Sequence, residues 1–383
     1  MYEPQNGFEF LEDVKKINGN KIQSFKTFSE YLYFKARKKG IPVHGQFELT
    51  PLCNFSCKMC YVHLNKSQLI RQQILSVETW KDIIHQAFEA GLLSATLTGG
   101  ECLTYPKFEE LYLYLHSLGC EVAVLTNGYL LDERKIDFFR QHMPSDIQIT
   151  IYGWNEDVYE RVTGRRAFNK VKNNIYKAID AGLHVSLSVT PSIYLGEDVF
   201  ETIRFCKSIP VSTQINSKLF IPREETGRSK QNHDIETDFY IRIYRFINEL
   251  DGIENQEVDE GMLPSAGGPL KECDQCGLQC GGGRSGFVLN WKGVLMPCNQ
   301  LEMIQAYPLK DGFKAAWDIV NQEANSWPRV PECEGCAYQK VCNNCAGCML
   351  QYAEPGNRPV ELCERTKRFV QQGIKRIQKC ENP

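Results

Sequence analysis

The chain has 383 residues, 42% of them hydrophobic and 24% charged, with 44 Lys and Arg against 47 Asp and Glu. That length supports a sizeable core and roughly two to three domains, and a net charge of −3 gives no long-range pull towards nucleic acid or an anionic bilayer, so neither is an expected partner. No apolar run approaches the ~18 residues needed to span a bilayer, and the start, MYEPQNGFEFLEDVKK, is acidic and polar where a secretory signal would be basic then apolar, which predicts a cytoplasmic protein.

Before residue 45 there is only an amphipathic patch, Phe25–Lys38, too short for a domain and read as a cap on the sheet within an extension over 1–44. From Gly45 to about 255, short apolar runs alternate with amphipathic stretches, the signal for repeated βα units. Strands are expected at Gln46–Leu49, Ala95–Thr98, Glu121–Thr126, Ile147–Tyr152, His184–Thr190 and Thr213–Leu219. Helices are expected at Val77–Ala90, capped by Ser76 and ended by Gly91, at Lys107–Leu118, and near Asp132–Arg140, Phe168–Ala181, Val199–Ser208 and Asp234–Leu250. These six units predict an α/β fold, a partial (β/α)6 TIM barrel with ligands at the carboxyl ends of its strands. An acidic, then Gly- and Pro-rich stretch after Leu250 reads as a linker. Residues 271–363 form a second, loop-rich region with little helical periodicity, which would need metal to supply what a thin core cannot, and 364–383 a closing helix and tail.

The 17 cysteines stand out, because thiols in a reducing compartment are more often metal ligands or catalytic groups than disulfides. Three sit at Cys53, Cys57 and Cys60, three are scattered at Cys102, Cys120 and Cys206, and eleven fall between Cys273 and Cys380. The triplet follows the first strand directly, so its thiols lie on a loop at the carboxyl edge of the sheet. Three thiolates can hold three corners of a [4Fe–4S] cube and leave one iron open, whereas a closed zinc site would need a fourth ligand such as His63. Cys120 and Cys206 read as small buried hydrophobes and Cys380 as a free tail thiol.

Cys53-x3-Cys57-x2-Cys60 after the first strand resembles the signature of the radical SAM superfamily, with Met59 where an aromatic is usual. The resemblance implies a cluster whose open iron binds S-adenosylmethionine, reductive cleavage to a 5′-deoxyadenosyl radical, and hydrogen abstraction from a positioned C–H bond. Thr98-Gly99-Gly100-Glu101, ending the second strand, resembles the motif that holds the methionine ammonium, with Cys102 where many relatives carry proline. Asn127, in Thr126-Asn127-Gly128, is either a cofactor contact or part of a plain turn. By the same resemblance Thr150 would contact the ribose and Arg161 the cofactor carboxylate, with Arg165 and Arg166 as rivals and a solvated basic face as the plain alternative.

Further on, Cys280 is followed by Gly293, then Cys298, then Cys333-x2-Cys336-x5-Cys342-x2-Cys345-x2-Cys348 and Cys363. This resembles the SPASM extension of radical SAM enzymes, which implies two auxiliary [4Fe–4S] clusters and three in all. One would take Cys280, Cys298, Cys276 in preference to Cys273, and Cys345 with Cys348 in reserve; the other Cys333, Cys336, Cys342 and Cys363. A pair of zinc sites is the competing reading.

SPASM enzymes mostly modify peptides, so the resemblance implies a ribosomally made precursor peptide as substrate and a thioether or carbon–carbon crosslink as product. A flavodoxin- or ferredoxin-type electron donor is implied as well. The runner-up is an anaerobic sulfatase-maturating, formylglycine-generating enzyme, in which an aspartate base follows the Gly-x4-Cys cysteine; here Asn299 stands there and cannot take a proton at neutral pH. A third reading, an iron–sulfur electron-transfer or sensing protein, has no use for Glu101, Thr150 and Arg161. With 52 residues before Cys53, fewer than the about 80 of a leader-binding domain, leader recognition is expected to use a separate protein or the core sequence itself.

Overall fold

Six parallel strands, each followed by a helix, build an open sheet that two strands from the carboxyl-terminal region extend. The computed structural model describes residues 28–374 apart from 63, 65, 217–218, 221, 224–234, 254–276, 335, 339–340 and 343–344. The expected linker, Cys273, Cys276 and Cys380 lie outside the described residues.

In chain order the elements are α1 (Phe28–Lys39), β1 (His44–Glu48), α2 (Lys66–Ile70), α3 (Val77–Glu89), β2 (Ser94–Thr98), α4 (Phe108–Ser117), β3 (Glu121–Thr126), α5 (Glu133–Gln141), β4 (Asp146–Ile151), α6 (Glu156–Thr163), α7 (Phe168–Asp180), β5 (Val185–Val189), α8 (Asp198–Lys207), β6 (Ser212–Ile215) and α9 (Thr237–Leu250). They are followed by β7 (Gly286–Leu289), β8 (Leu295–Met296), α10 (Pro308–Asp311), α11 (Phe313–Ser326), α12 (Ala346–Met349) and α13 (Val360–Gln371). The sheet order is β6-β5-β4-β3-β2-β1-β7-β8, with only β8 antiparallel to its neighbour. No closed barrel forms.

Strand alternation decides which side takes the helices. In β4, Ile147, Ile149 and Ile151 are buried, while Asp146, Gln148 and Thr150 turn to the other, half-buried face. The helices answer with apolar stripes, such as Trp80, Ile83, Ile84 and Ala87 on α3 and Phe108, Leu111, Tyr112 and Leu115 on α4. Caps fix where these helices begin: the Ser76 hydroxyl accepts from Thr79 N–H, Asp132 from Lys135 N–H and Asn155 from Val158 N–H.

The carboxyl-terminal region corrects the expectation of little helical periodicity over 271–363. Helix α11 runs 14 residues and buries Phe313, Ala316, Trp317, Val320 and Ala324 on one face. Strand β7 pairs in parallel with β1, His44 opposite Gly286 and Phe47 opposite Leu289. Phe287 packs edge-on against Phe47 with ring centroids 5.7 Å apart and against Phe313 at 5.1 Å, so residues 286–326 share the barrel's core. The closing helix begins at Val360, earlier than Glu364, and so carries Cys363 in its first turn. No helix among the described residues is long and apolar enough to cross a membrane.

Candidate active site

The cysteine loop leaves β1 and crosses the carboxyl ends of the strands, where two neighbours hold its backbone. Ser56 N–H donates to Thr163 O at 2.8 Å and Lys58 N–H to Val162 O at 3.1 Å, at the end of α6. On the other side Gly100 N–H donates to Thr50 O at 2.7 Å and Glu101 N–H to Leu52 O at 2.8 Å. The glycine pair permits this approach: a Cβ on Gly99, whose φ is +138°, would stand 2.5 Å from Thr50 O, and one on Gly100 would stand 2.4 Å from Leu52 O. What these glycines admit is the cysteine loop of the same chain.

The three thiols of the triplet are close enough to perturb one another. Burial, then Glu101 and Cys60, pushes the Cys53 thiol up to about 12; burial, then Cys60 and Cys53, holds Cys57 well above the ordinary thiol range. Thiols crowded in this way would deprotonate only against a compensating positive charge, such as iron would supply. Tyr152, after β4, hydrogen-bonds Cys57, and Phe55 beneath the loop packs edge-on against Tyr152 and Tyr129.

Glu101 lies 1% exposed at the end of β2. Its Oε1 accepts from the Thr126 hydroxyl at 2.7 Å and from Leu103 N–H at 3.1 Å, and its Oε2 accepts from Asn127 N–H at 2.8 Å. Burial raises its pKa against the pull of these neutral donors, and among the described residues no lysine or arginine pairs with it. A buried carboxylate beside three thiols with no cation of its own fits an incoming ammonium group. A second sign of fit is the Asn54 side-chain NH2, buried in the cysteine loop without a partner among the described residues.

The remaining expected cofactor contacts divide. Asn127 belongs to this centre, its side-chain NH2 donating to Asn54 Oδ1 at 2.8 Å and to Cys53 Sγ at 3.7 Å. Thr150 sits on β4 on the face away from the helices, in register with Ser188 of β5. Arg161 lies on α6, but all of its contacts are with the segment after β5: an ion pair with Asp198 and hydrogen bonds to Tyr194 O at 3.3 Å and Leu195 O at 3.2 Å. Arg166 pairs with Asp157 and Glu160. Of the three arginines it is Arg165 that reaches the cysteine loop, donating to Asn54 O at 3.0 Å with its guanidinium 4.3 Å from the Tyr129 ring centroid. Glycine 164, with φ +72°, ends α6 and turns the chain so that Arg165 faces the loop.

The later cysteines gather in two groups. Burial, then the neighbouring Cys280 and Cys345, pushes Cys298 up to about 12, so these three stand together. Cys348 is buried in α12 nearby. Gly293, with φ +78°, makes the tight turn between β7 and β8 that presents Cys298. Burial, then Cys342, Cys363 and Cys336, pushes Cys333 up to about 11, which brings the expected second set of four together. Among the described residues no three His, Cys, Asp or Glu side chains converge as ligands of one ion; a cube instead spreads its thiolates over separate irons.

One constellation escaped the sequence. Glu48, at the end of β1, receives a bidentate pair of hydrogen bonds from Arg223, both at 2.8 Å and both buried. Glu302 stands 3.3 Å from Arg223 Nε. Tyr61, directly after Cys60, donates to Glu48 at 3.5 Å and accepts from Asn299, directly after Cys298, at 3.0 Å. The only signal available was a carboxylate in an otherwise apolar strand end, FEL, and nothing local identified its distant arginine.

The Radical SAM superfamily profile matches residues 47–206, from β1 into α8, and that stretch contains the triplet, Glu101, Asn127 and Thr150. The chain carries a radical SAM domain. This domain is similar to that of the antilisterial bacteriocin subtilosin biosynthesis protein AlbA of Bacillus subtilis (strain 168), with 29% identity over 152 residues covering 39% of this chain. The match spans 33% of AlbA's length, so the chain covers about a third of that relative. An AdoMet-dependent heme synthase of Methanosarcina barkeri is 24% identical over 335 residues, covering 81% of this chain and 92% of that protein. Among solved structures, Streptococcus suis SuiB bound to the precursor peptide SuiA superposes with a TM-score of 0.66 at 14% identity over 92% of this chain and 86% of SuiB. AnSMEcpe with bound AdoMet and Cp18Cys peptide gives 0.64 at 16% identity over 88% of this chain and 98% of that one. These superpositions extend the shared fold past the radical SAM domain into the carboxyl-terminal region.

Proposed function

We propose that this chain is a radical SAM maturase that acts on a ribosomally made precursor peptide, with a thioether or carbon–carbon crosslink as the product. The observation that carries the reading is Glu101: a buried carboxylate with no cationic partner among the described residues, beside the thiols of Cys53, Cys57 and Cys60 at the adjoining strand end. The cysteines would hold a [4Fe–4S] cube by three corners, Glu101 would take the methionine ammonium of S-adenosylmethionine, and Thr150 would face the ribose. When bound, cluster and cofactor together supply a 5′-deoxyadenosyl radical. For the cofactor carboxylate, the contacts of Arg165 favour it over Arg161, which is engaged with Asp198. Cys280, Cys298 and Cys345, with Cys276 or Cys273, would hold one auxiliary cluster; Cys333, Cys336, Cys342 and Cys363 would hold the other.

The peptide substrate is supported by the similarity to AlbA and by the fold shared with SuiB, and an external low-potential electron donor belongs to the same proposal. AnSMEcpe, solved with AdoMet and a Cp18Cys peptide, superposes about as well as SuiB, so a side chain and not the fold separates crosslinking from formylglycine generation. Residue 299 favours crosslinking: Asn299 donates its amide to the Tyr61 hydroxyl and offers no base.

The test is direct. Anaerobically reconstituted protein with dithionite should convert S-adenosylmethionine to 5′-deoxyadenosine, and Cys57→Ala should not; turnover by that variant overturns the assignment. Incubation with small peptides encoded beside the gene should then give a product lighter by two hydrogens that does not react with a hydrazide, whereas a hydrazide-reactive aldehyde at a former Cys or Ser would favour the sulfatase-type reading.

A further inference from the structure

The geometry points to the Asn127 carboxamide, oriented by Asn54, as a donor that raises the reduction potential of the cluster held by Cys53, Cys57 and Cys60; the inference rests on the radical SAM reading. The orientation of both amides follows from their partners. Tyr129 N–H donates to Asn127 Oδ1 at 3.0 Å, so the Asn127 NH2 must face the other way, towards Asn54 Oδ1 at 2.8 Å and Cys53 Sγ at 3.7 Å. Asn54 Oδ1 receives that bond and also stands 3.9 Å from Cys53 Sγ, so it is the Asn54 oxygen, not its NH2, that faces the sulfur. The backbone N–H of Phe55 adds a donor to Cys53 Sγ at 3.4 Å. Cys53 therefore receives two amide donors, one from the chain two residues on and one from just after β3, and Asn54 orients the second.

Buried amide donors around a ligating sulfur have a defined electrostatic effect. Adding one electron to a cube places more negative charge on its sulfurs, so each N–H stabilises the reduced form more than the oxidised form and raises the potential. The opposing influence is on the page as well, since the buried Glu101 carboxylate acts on Cys53 with the sign that disfavours added negative charge. Asn127 touches both, for its backbone N–H holds Glu101 Oε2 at 2.8 Å while its side chain reaches Cys53. A side-chain substitution separates these roles, leaving the main-chain bond to Glu101 in place. Asn127 is thus a positioning residue for the electron that enters the cluster.

The experiment is a potentiometric titration of the anaerobically reconstituted chain, followed by electron paramagnetic resonance, in wild type, Asn127→Ala and Asn127→Ser. The signal followed is the one that S-adenosylmethionine alters. If the wild type has no such signal, the radical SAM reading itself falls. With the signal present, each variant that retains the wild-type iron content should be harder to reduce, its reduction equilibrium constant falling about threefold to tenfold, tenfold being about 59 mV for one electron. A purely structural role would leave the midpoint where it was, and unchanged midpoints in iron-replete variants overturn the inference while leaving the radical SAM reading intact. Should Asn127→Ala lose iron because the Tyr129 turn opens, Asn127→Ser, whose hydroxyl can accept from Tyr129 N–H in place of Oδ1 but is too short to reach Cys53, decides alone.

Discussion

Glu101 is costly to the empty protein, a charge taken out of water and offered only neutral donors. Such an arrangement is retained where a ligand completes it. Glu101→Gln keeps the side chain's size and the Oε1 acceptor for Thr126 and Leu103 but removes the charge, so affinity for S-adenosylmethionine should fall about tenfold to a hundredfold, the worth of a hydrogen bond to a charged group at roughly 1.5–3 kcal/mol. Anaerobic equilibrium dialysis measures this, and undiminished binding would move the ammonium site elsewhere. The triplet and Glu101 were legible because their chemistry rides on short local spacings at strand ends. The choice between Arg161 and Arg165 was not, because it depends on the left-handed turn at Gly164 and on Asp198, which lies on another helix and takes Arg161 away. Asn54 was hidden differently: nothing in a sequence tells which of two amides finds an acceptor once buried.

At the scale of elements, the βα units could be read because parallel strands and their covering helices each carry a clean period. Boundaries moved by a residue or two, and β6 ended at Ile215 where Leu219 was expected. The strands β7 and β8 were missed because they are four and two residues long and take their identity from the β1 edge they pair with. Helix α11 had a readable stripe, obscured by the cysteine- and glycine-rich chain around it. These elements make the carboxyl-terminal region part of the barrel's cooperative unit. Phe287 sits 2% exposed between Phe47 and Phe313, so Phe287→Ala should cost about 3–5 kcal/mol. In urea, far-ultraviolet circular dichroism and tryptophan fluorescence should shift together to a lower midpoint. If only the fluorescence moved while the helical signal kept its midpoint, the region would be an independent unit docked on the sheet.

Across the whole molecule, the Glu48–Arg223 pair ties together parts that sequence order keeps far apart: the end of β1, the segment after β6, and through Glu302 and Asn299 the chain that follows Cys298. Tyr61 places the residue after Cys60 in contact with the residue after Cys298, so this network fixes the first cysteine group relative to the second. Both charges are buried, and a buried pair is worth little against apolar replacements but much against the loss of one partner, because the remaining charge then has neither water nor counter-ion. Arg223→Met should therefore destabilise the chain by about 3–5 kcal/mol, and Glu48→Leu by a comparable amount, while the double variant should be closer to wild type than either alone. Urea midpoints of the four proteins measure the coupling. On the proposed cluster assignment, the two single variants should also lose iron from the Cys298 group before the Cys333 group, since among the described residues the former is tied to this network through Asn299. Additive losses in the double variant would mean that the pair is not coupled, and that β1–β7 pairing with the α11 contacts holds the two halves in place without it.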